Sequence, residues 1–133
     1  MVAPAFVHLR LHSEYSIVDG MLRLDEAVAR AAADGMPALA LTDLANLFGM
    51  IKFYGAARAC GVKPIIGCDA WVEPAAGAAS RDRPVRLLLL VKNRSGYLRL
   101  SELLTQAYLA PRRQGRAEIA RAAFAAGDNA GLI

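Results

Sequence analysis

Polar and apolar positions alternate along Phe6-Val7-His8-Leu9-Arg10-Leu11 before the turn-rich stretch 12–20, a pattern that predicts a strand and its following loop. The period then changes. Leu24, Ala27, Val28 and Ala31 recur at helical spacing, with Asp25 and Glu26 in the first turn and Gly35 as a stop. Pro37 leads into the short apolar run Ala38–Thr42, suited to a buried parallel strand. A second helix is expected over Leu47–Cys60, ended by Gly61, and a strand over Lys63–Val72 with apolar positions at Ile65, Ile66, Ala70 and Val72. Residues 73–84, rich in Pro, Gly, Ala and charge, read as a loop. Val85–Val91 is a nearly unbroken apolar strand, followed by helices over about Gly96–Leu109 and Glu118–Ala126. Gly131-Leu132-Ile133 resembles the opening of a further strand. The chain shows no internal repeat.

Strands separated by helices at these lengths predict an α/β fold whose parallel sheet is closed by right-handed crossovers. Working groups in such folds gather at the carboxyl ends of the strands. Here those ends are expected to carry His12, Asp43 and Asp69, which would converge on one rim.

Composition narrows the class. The 133 residues are 56% hydrophobic and 21% charged, enough apolar material for a core and too little charge for a disordered chain. The longest apolar run, Leu87–Val91, is strand-sized, so no membrane span or membrane partner is expected, and the N-terminus lacks a secretory pattern. Cys60 and Cys68 form no metal or redox spacing, which points to a reduced, cytoplasmic chain with buried thiols. The net charge of +4 is uneven: residues 1–80 balance at −2 and residues 81–133 at +6. Arg81, Arg83 and Arg86 form one basic cluster, and Arg112, Arg113 and Arg116 another. Clusters of this size are either solvated loop arginines or contacts for phosphate, nucleic acid or an acidic partner.

Candidate chemistry sits at the strand ends. His8, Arg10 and His12 fall on one side of an extended segment by parity. Imidazoles at this spacing ligate Zn, Mn or Fe when carboxylates such as Asp43 and Asp69 complete the set. Spacing alone favours simple hydrogen bonding inside the fold, and Arg10 strengthens that reading because a guanidinium repels a divalent cation. Asp43 and Asn46 read either as ligands or as caps of the following helix. Tyr15, Ser16 and Asp19-Gly20 read as turn chemistry, and Trp71 and Tyr54 as core anchors rather than stacking platforms.

The segment His8-Leu9-Arg10-Leu11-His12-Ser13-Glu14-Tyr15-Ser16 with Asp19-Gly20 resembles the opening motif of the polymerase-and-histidinol-phosphatase (PHP) domain. Ala38–Asp43 with Asn46-Leu47-Phe48-Gly49 and Lys52-Phe53-Tyr54 is similar to the second motif of that family. Lys63-Pro64-Ile65-Ile66-Gly67 and Lys92-Asn93-Arg94-Ser95-Gly96-Tyr97 continue the likeness, which runs from Phe6 onward in order. More narrowly, the chain resembles the PHP domain at the N-terminus of bacterial replicative DNA polymerases.

The resemblance implies a distorted (β/α)7 barrel with parallel strands, of which residues 1–133 would form the N-terminal part. Such barrels take roughly 250 residues to close, so the chain is expected to stop inside the domain, without the polymerase domains. Metal-binding members hold ions through a His-x-His pair in the first motif and an Asp-His pair in the second. Here Arg10 stands for the first histidine and Leu44 for the histidine after Asp43, while Asp69 stands where a Glu is usual. His12, Asp43 and Asp69 are then vestigial positions, and no ligand role passes to His8. The resemblance therefore implies a degenerate site with no catalytic residue and no cofactor. The expected role is a scaffold that docks the proofreading exonuclease, meets DNA only through the parent polymerase, and leaves Mg to that polymerase. The alternative is a Zn- or Mn-dependent phosphoesterase acting as a 3′–5′ exonuclease or pyrophosphatase. An incomplete barrel would leave an open strand edge and the apolar face of Val85–Val91 uncovered. Self-association is therefore expected, with exchange of the segment Glu118–Ala126 as one route.

Overall fold

Leu24, Ala27, Val28 and Ala31 are the buried positions of helix α1 (Leu24–Ala33), as their spacing predicts. The structure is a computed structural model that describes residues 6–74, 84–110 and 115–133. Two compact units divide the chain, Met1–Cys68 and Asp69–Ile133.

In the first unit, strand β1 (Ala38–Leu41) is buried along its whole length. Helix α2 (Met50–Ala59) follows, and strand β2 (Lys63–Val72) returns parallel to β1, with Ala38 opposite Lys63 and Leu41 opposite Ile66. Both helices close alike. Gly35 and Gly61 take φ of +68° and +72°, a conformation that costs a side-chain-bearing residue about 1–2 kcal/mol. The reversed backbone sends the N–H of Met36 to Ala31 O and that of Val62 to Ala57 O, each at 2.9 Å. Leu24, Val28, Ala31, Leu39, Leu41, Phe53, Ala57 and Val62 form the core between the helices and β1.

The strand expected over residues 6–11 does not form. The N–H groups of Ala40 and Thr42 reach His8 O (3.0 Å) and Leu11 O (2.9 Å). Ala40 in β1 and Thr42 just beyond it, two apart, therefore meet residues three apart on the N-terminal segment, whereas a parallel ladder advances both strands equally. Thr42 Oγ1 accepts the Leu11 N–H at 2.9 Å in place of a ladder carbonyl. The parity argument that aligned His8, Arg10 and His12 thus has no regular strand to act through. Tyr54 and Cys60, expected inside, are exposed. Tyr54 is on the outer face of α2, and Cys60 ends that helix beyond its last buried position, Ala57.

The second unit holds the end of β2, strand β3 (Val85–Leu90), helix α3 (Arg94–Leu109), strand β4 (Glu118–Ile119) and the short helix α4 (Arg121–Ala125). β3 neighbours β2, and β4 pairs parallel with the end of β2, Trp71 opposite Glu118 and Val72 opposite Ile119. The helix expected over Glu118–Ala126 therefore loses its first residues to a strand. Alanine-rich propensity yields there because Ile119, 1% exposed, joins the apolar interior beside α3. Asn93 caps α3 by accepting the Gly96 N–H at 3.0 Å, which starts the helix at Arg94. Leu90 exchanges backbone hydrogen bonds with Ile133 at 2.8 and 2.9 Å. The terminal strand expected at Gly131–Ile133 thus pairs antiparallel, through Val91 and Leu132, and departs from an all-parallel sheet. Val85 and Leu87 on β3 are exposed. No helix among the described residues is long and apolar enough to cross a membrane.

Candidate functional site

Asp43 follows β1 by two residues and is 1% exposed. Its Oδ1 accepts the Ser13 N–H at 2.6 Å and its Oδ2 accepts the Ser13 hydroxyl at 3.0 Å. A tight turn presents Ser13: the Ser16 N–H reaches Ser13 O at 2.8 Å, the Gly20 N–H reaches Ser16 O at 2.7 Å, and the Ser16 hydroxyl donates to Asp19 Oδ1 at 2.6 Å. Gly20 is required by space, since a Cβ there would lie 1.7 Å from Ser13 O. His12 is tied to the same turn, with Nδ1 2.9 Å from Asp19 Oδ1. Burial pushes the Asp43 carboxyl above its ordinary pKa. The Ser13 backbone, the Ser13 hydroxyl and His12 pull it partly back, and Asp19 adds a small upward push.

Asn46, not Asp43, does the turn work before α2. Its side chain accepts the Phe48 N–H at 3.0 Å and donates to Tyr15 O at 3.0 Å and Leu44 O at 3.2 Å. With Ala45 at φ +56°, this turn occupies residues expected in the helix and delays α2 to Met50. Leu44 is buried and gives its N–H to Ser16 Oγ at 3.0 Å. His8 is exposed, its ring edge-on to Phe6 at 4.7 Å, and Arg10 is exposed.

Asp69 belongs to the second unit and lies inside β2 rather than at its carboxyl end. It is 1% exposed, and its Oδ2 accepts from Arg86 Nη2 at 2.6 Å. The Arg86 guanidinium stands 5.2 Å from the centre of the Trp71 ring. Arg116 stands 5.7 Å from the same ring and donates from Nε to Glu118 Oε1 at 3.2 Å. Arg86 and Arg116, two of the six arginines that sequence nominates for contact, here face carboxylates of their own chain. Arg81, Arg83, Arg112 and Arg113 lie outside the described residues. The Asp69–Arg86 pairing joins residues on two strands, beyond the reach of spacing rules. Its one signal in the sequence is a lone arginine in the otherwise apolar Val85–Leu90.

The chemistry of these groups is limited. Ser13 donates to a carboxylate rather than to an imidazole, so Ser13 forms no Ser–His relay. Among the described residues no three His, Cys, Asp or Glu side chains gather as a metal site. A cavity of about 150 Å³, lined by apolar residues such as Leu103, Ala107, Ile119 and Ala123, also carries the carboxylates of Glu73 and Glu118 but no imidazole, hydroxyl or thiol.

A model of the PHP domain matches residues 8–133. The chain belongs to the PHP domain family. It is 45% identical, over its whole length, to the N-terminal region of DNA polymerase III subunit alpha from Neisseria meningitidis serogroup A / serotype 4A. It is 48% identical to that of Vibrio cholerae over 82% of the chain, and 46% identical to that of Escherichia coli K12 over 81%. The chain spans only 12%, 9% and 9% of the length of these relatives. Among solved structures, an amidohydrolase from Chromobacterium violaceum with bound sulfate and no metal superposes with a TM-score of 0.58 at 27% identity, over 77% of this chain and 33% of that one. A protein from Bifidobacterium adolescentis described as a metal-dependent phosphoesterase superposes at 0.56 and 18% identity, over 78% and 34%, a likeness of fold. As ligands for the ions that metal-binding PHP domains hold, Asp43, Leu44 and Asp69 do not fit. Both Asp43 oxygens accept from Ser13, Leu44 offers only carbon, and Asp69 is bridged to a guanidinium.

Proposed function

We propose that this PHP domain is the N-terminal module of a bacterial DNA polymerase III alpha subunit. It serves chromosome replication as a non-catalytic scaffold and as the docking surface for the proofreading exonuclease. Likeness to such subunits along the entire chain carries the reading. The poor fit of the Asp43 and Asp69 surroundings to a metal supports it. In this reading the domain holds neither Zn nor Mn, Mg belongs to the polymerase centre elsewhere in the subunit, and DNA is met through that subunit in the cytoplasm. The finer fold is part of a distorted (β/α)7 barrel. The isolated chain self-associates through the side of β3 that exposes Val85 and Leu87, which sedimentation at micromolar concentration would detect and a stable monomer would refute.

The decisive experiment mixes the chain with the purified proofreading subunit and follows co-elution and calorimetric binding. A saturable complex is expected, and its absence overturns the docking role. Elemental analysis after dialysis against zinc or manganese tests the second reading, a metal-dependent phosphoesterase, which the fold likeness to the Bifidobacterium protein favours. A stoichiometric ion lost on Asp43→Asn, together with release of phosphate or nucleotide, would establish that reading instead.

A further inference from the structure

The second unit holds two carboxylates with little side-chain exposure, and each faces a guanidinium of the same unit. Asp69 pairs with Arg86 at 2.6 Å, and Glu118 with Arg116 at 3.2 Å. The Asp69 side chain is 1% exposed and that of Glu118 7%. Both guanidiniums stand over one ring, that of Trp71. The strands place these groups together: Asp69 and Trp71 are two apart on β2 and so share a face, Glu118 is opposite Trp71 in the β4 register, and Arg86 comes from β3.

We propose that Arg86 is the resident cation of this site, a fixed guanidinium that neutralises Asp69 in place of a divalent ion and holds the position against one. The inference rests on the reading of this PHP domain as metal-free. Arginine suits the task because it keeps its charge at every physiological pH, sheds water more readily than an ammonium, and lies flat on an aromatic face. The contact with Trp71 orients the guanidinium, so that Nη2 points at the buried Asp69 oxygen. An ion approaching Asp69 would have to displace a group that cannot deprotonate and that would remain nearby as a repelling charge.

The test is a double-mutant cycle in the chain itself, in buffer containing a chelator, with Arg86→Met to keep length and contact on Trp71 without charge. Arg86→Met and Asp69→Asn are each expected to lower the folding equilibrium constant. The double variant should exceed the product of the two effects by about tenfold. Effects that simply multiply overturn the proposal. Because the cycle is read without metal, its failure is distinct from a failure of the metal-free reading, which elemental analysis of the unsubstituted chain decides. Millimolar Mn²⁺ should raise the unfolding temperature of the Arg86→Met variant more than that of the parent chain. An equal rise with and without Arg86 also overturns the proposal. If Arg86→Met does not fold, Arg86→Lys takes its place in the cycle. Its ammonium keeps charge but loses the flat contact, so coupling to Asp69→Asn should weaken without vanishing, and zero coupling overturns the proposal.

Discussion

Asp43 in the first unit and Asp69 in the second are equally hidden from water, at 1% exposure each, yet the two units keep them by different means. Asp43 is met by neutral donors, the N–H and hydroxyl of Ser13. Asp69 is met by a full charge, the Arg86 guanidinium. Dipoles offset only part of the desolvation of a carboxylate, which is why burial still dominates at Asp43 and raises its pKa. A guanidinium compensates more, but the arrangement is brittle, because loss of either partner strands a buried charge. Neither solution is local in sequence, with Ser13 lying 30 residues from Asp43 and Arg86 17 from Asp69, but one residue supplies both donors to Asp43 whereas the ionic pair joins two strands.

Four substitutions or conditions sharpen or break this contrast. The largest effect is expected from Arg86→Ala, which leaves Asp69 buried against nothing charged from β3 and should cost about 3 kcal/mol. Urea unfolding would measure it, and a loss under half a kcal/mol would show that the pair is a surface contact. Next is Gly20→Ala. Its methyl would collide with Ser13 O, and backbone overpacking of this kind costs about 1–3 kcal/mol. Unchanged stability would mean that the turn relaxes and that Ser13 is not held by it.

Ser13→Ala removes one donor from Asp43 and the acceptor of the Tyr15 N–H. It leaves the Ser13 N–H in place and should cost about 1.5 kcal/mol. The smallest effect is one of pH. The Asp43 pKa is raised above 3.8 in the folded chain. Between that ordinary value and the raised one, the folded state keeps a proton that the unfolded state releases. The stability from this proton is complete below the ordinary value and is lost as pH rises through the folded value. Asp43→Asn cannot ionise and should flatten that part of the stability profile. A profile identical to the parent's would place the carboxyl at its ordinary pKa.

Where local rules suffice, the pattern of residues was a reliable guide. Helix α1 could be read from four apolar positions, two first-turn acids and a terminal glycine, because helix periodicity and stop signals act within a few residues. β2 could be read from Lys63 to Val72 for the same reason. Reading failed where a distant segment competes for the backbone. Residues 6–11 alternate like a strand but meet β1 out of step. Glu118 and Ile119 look helical but join β2.

The family was legible in the sequence alone, through motifs that keep their order from His8 onward, and their likeness led to the expectation that Arg10 and Leu44 replace imidazoles. Which groups satisfy the remaining carboxylates was decided only in three dimensions. Asp43 could have capped a helix or bound an ion by any local rule, and it is the turn at Ser13 that engages both its oxygens. Asp69 and Arg86 are strangers in sequence, and strand placement alone brings them to 2.6 Å. Periodicity and capping are short-range and therefore written along the chain, while neutralising a buried charge depends on which side chain the fold brings within a hydrogen bond.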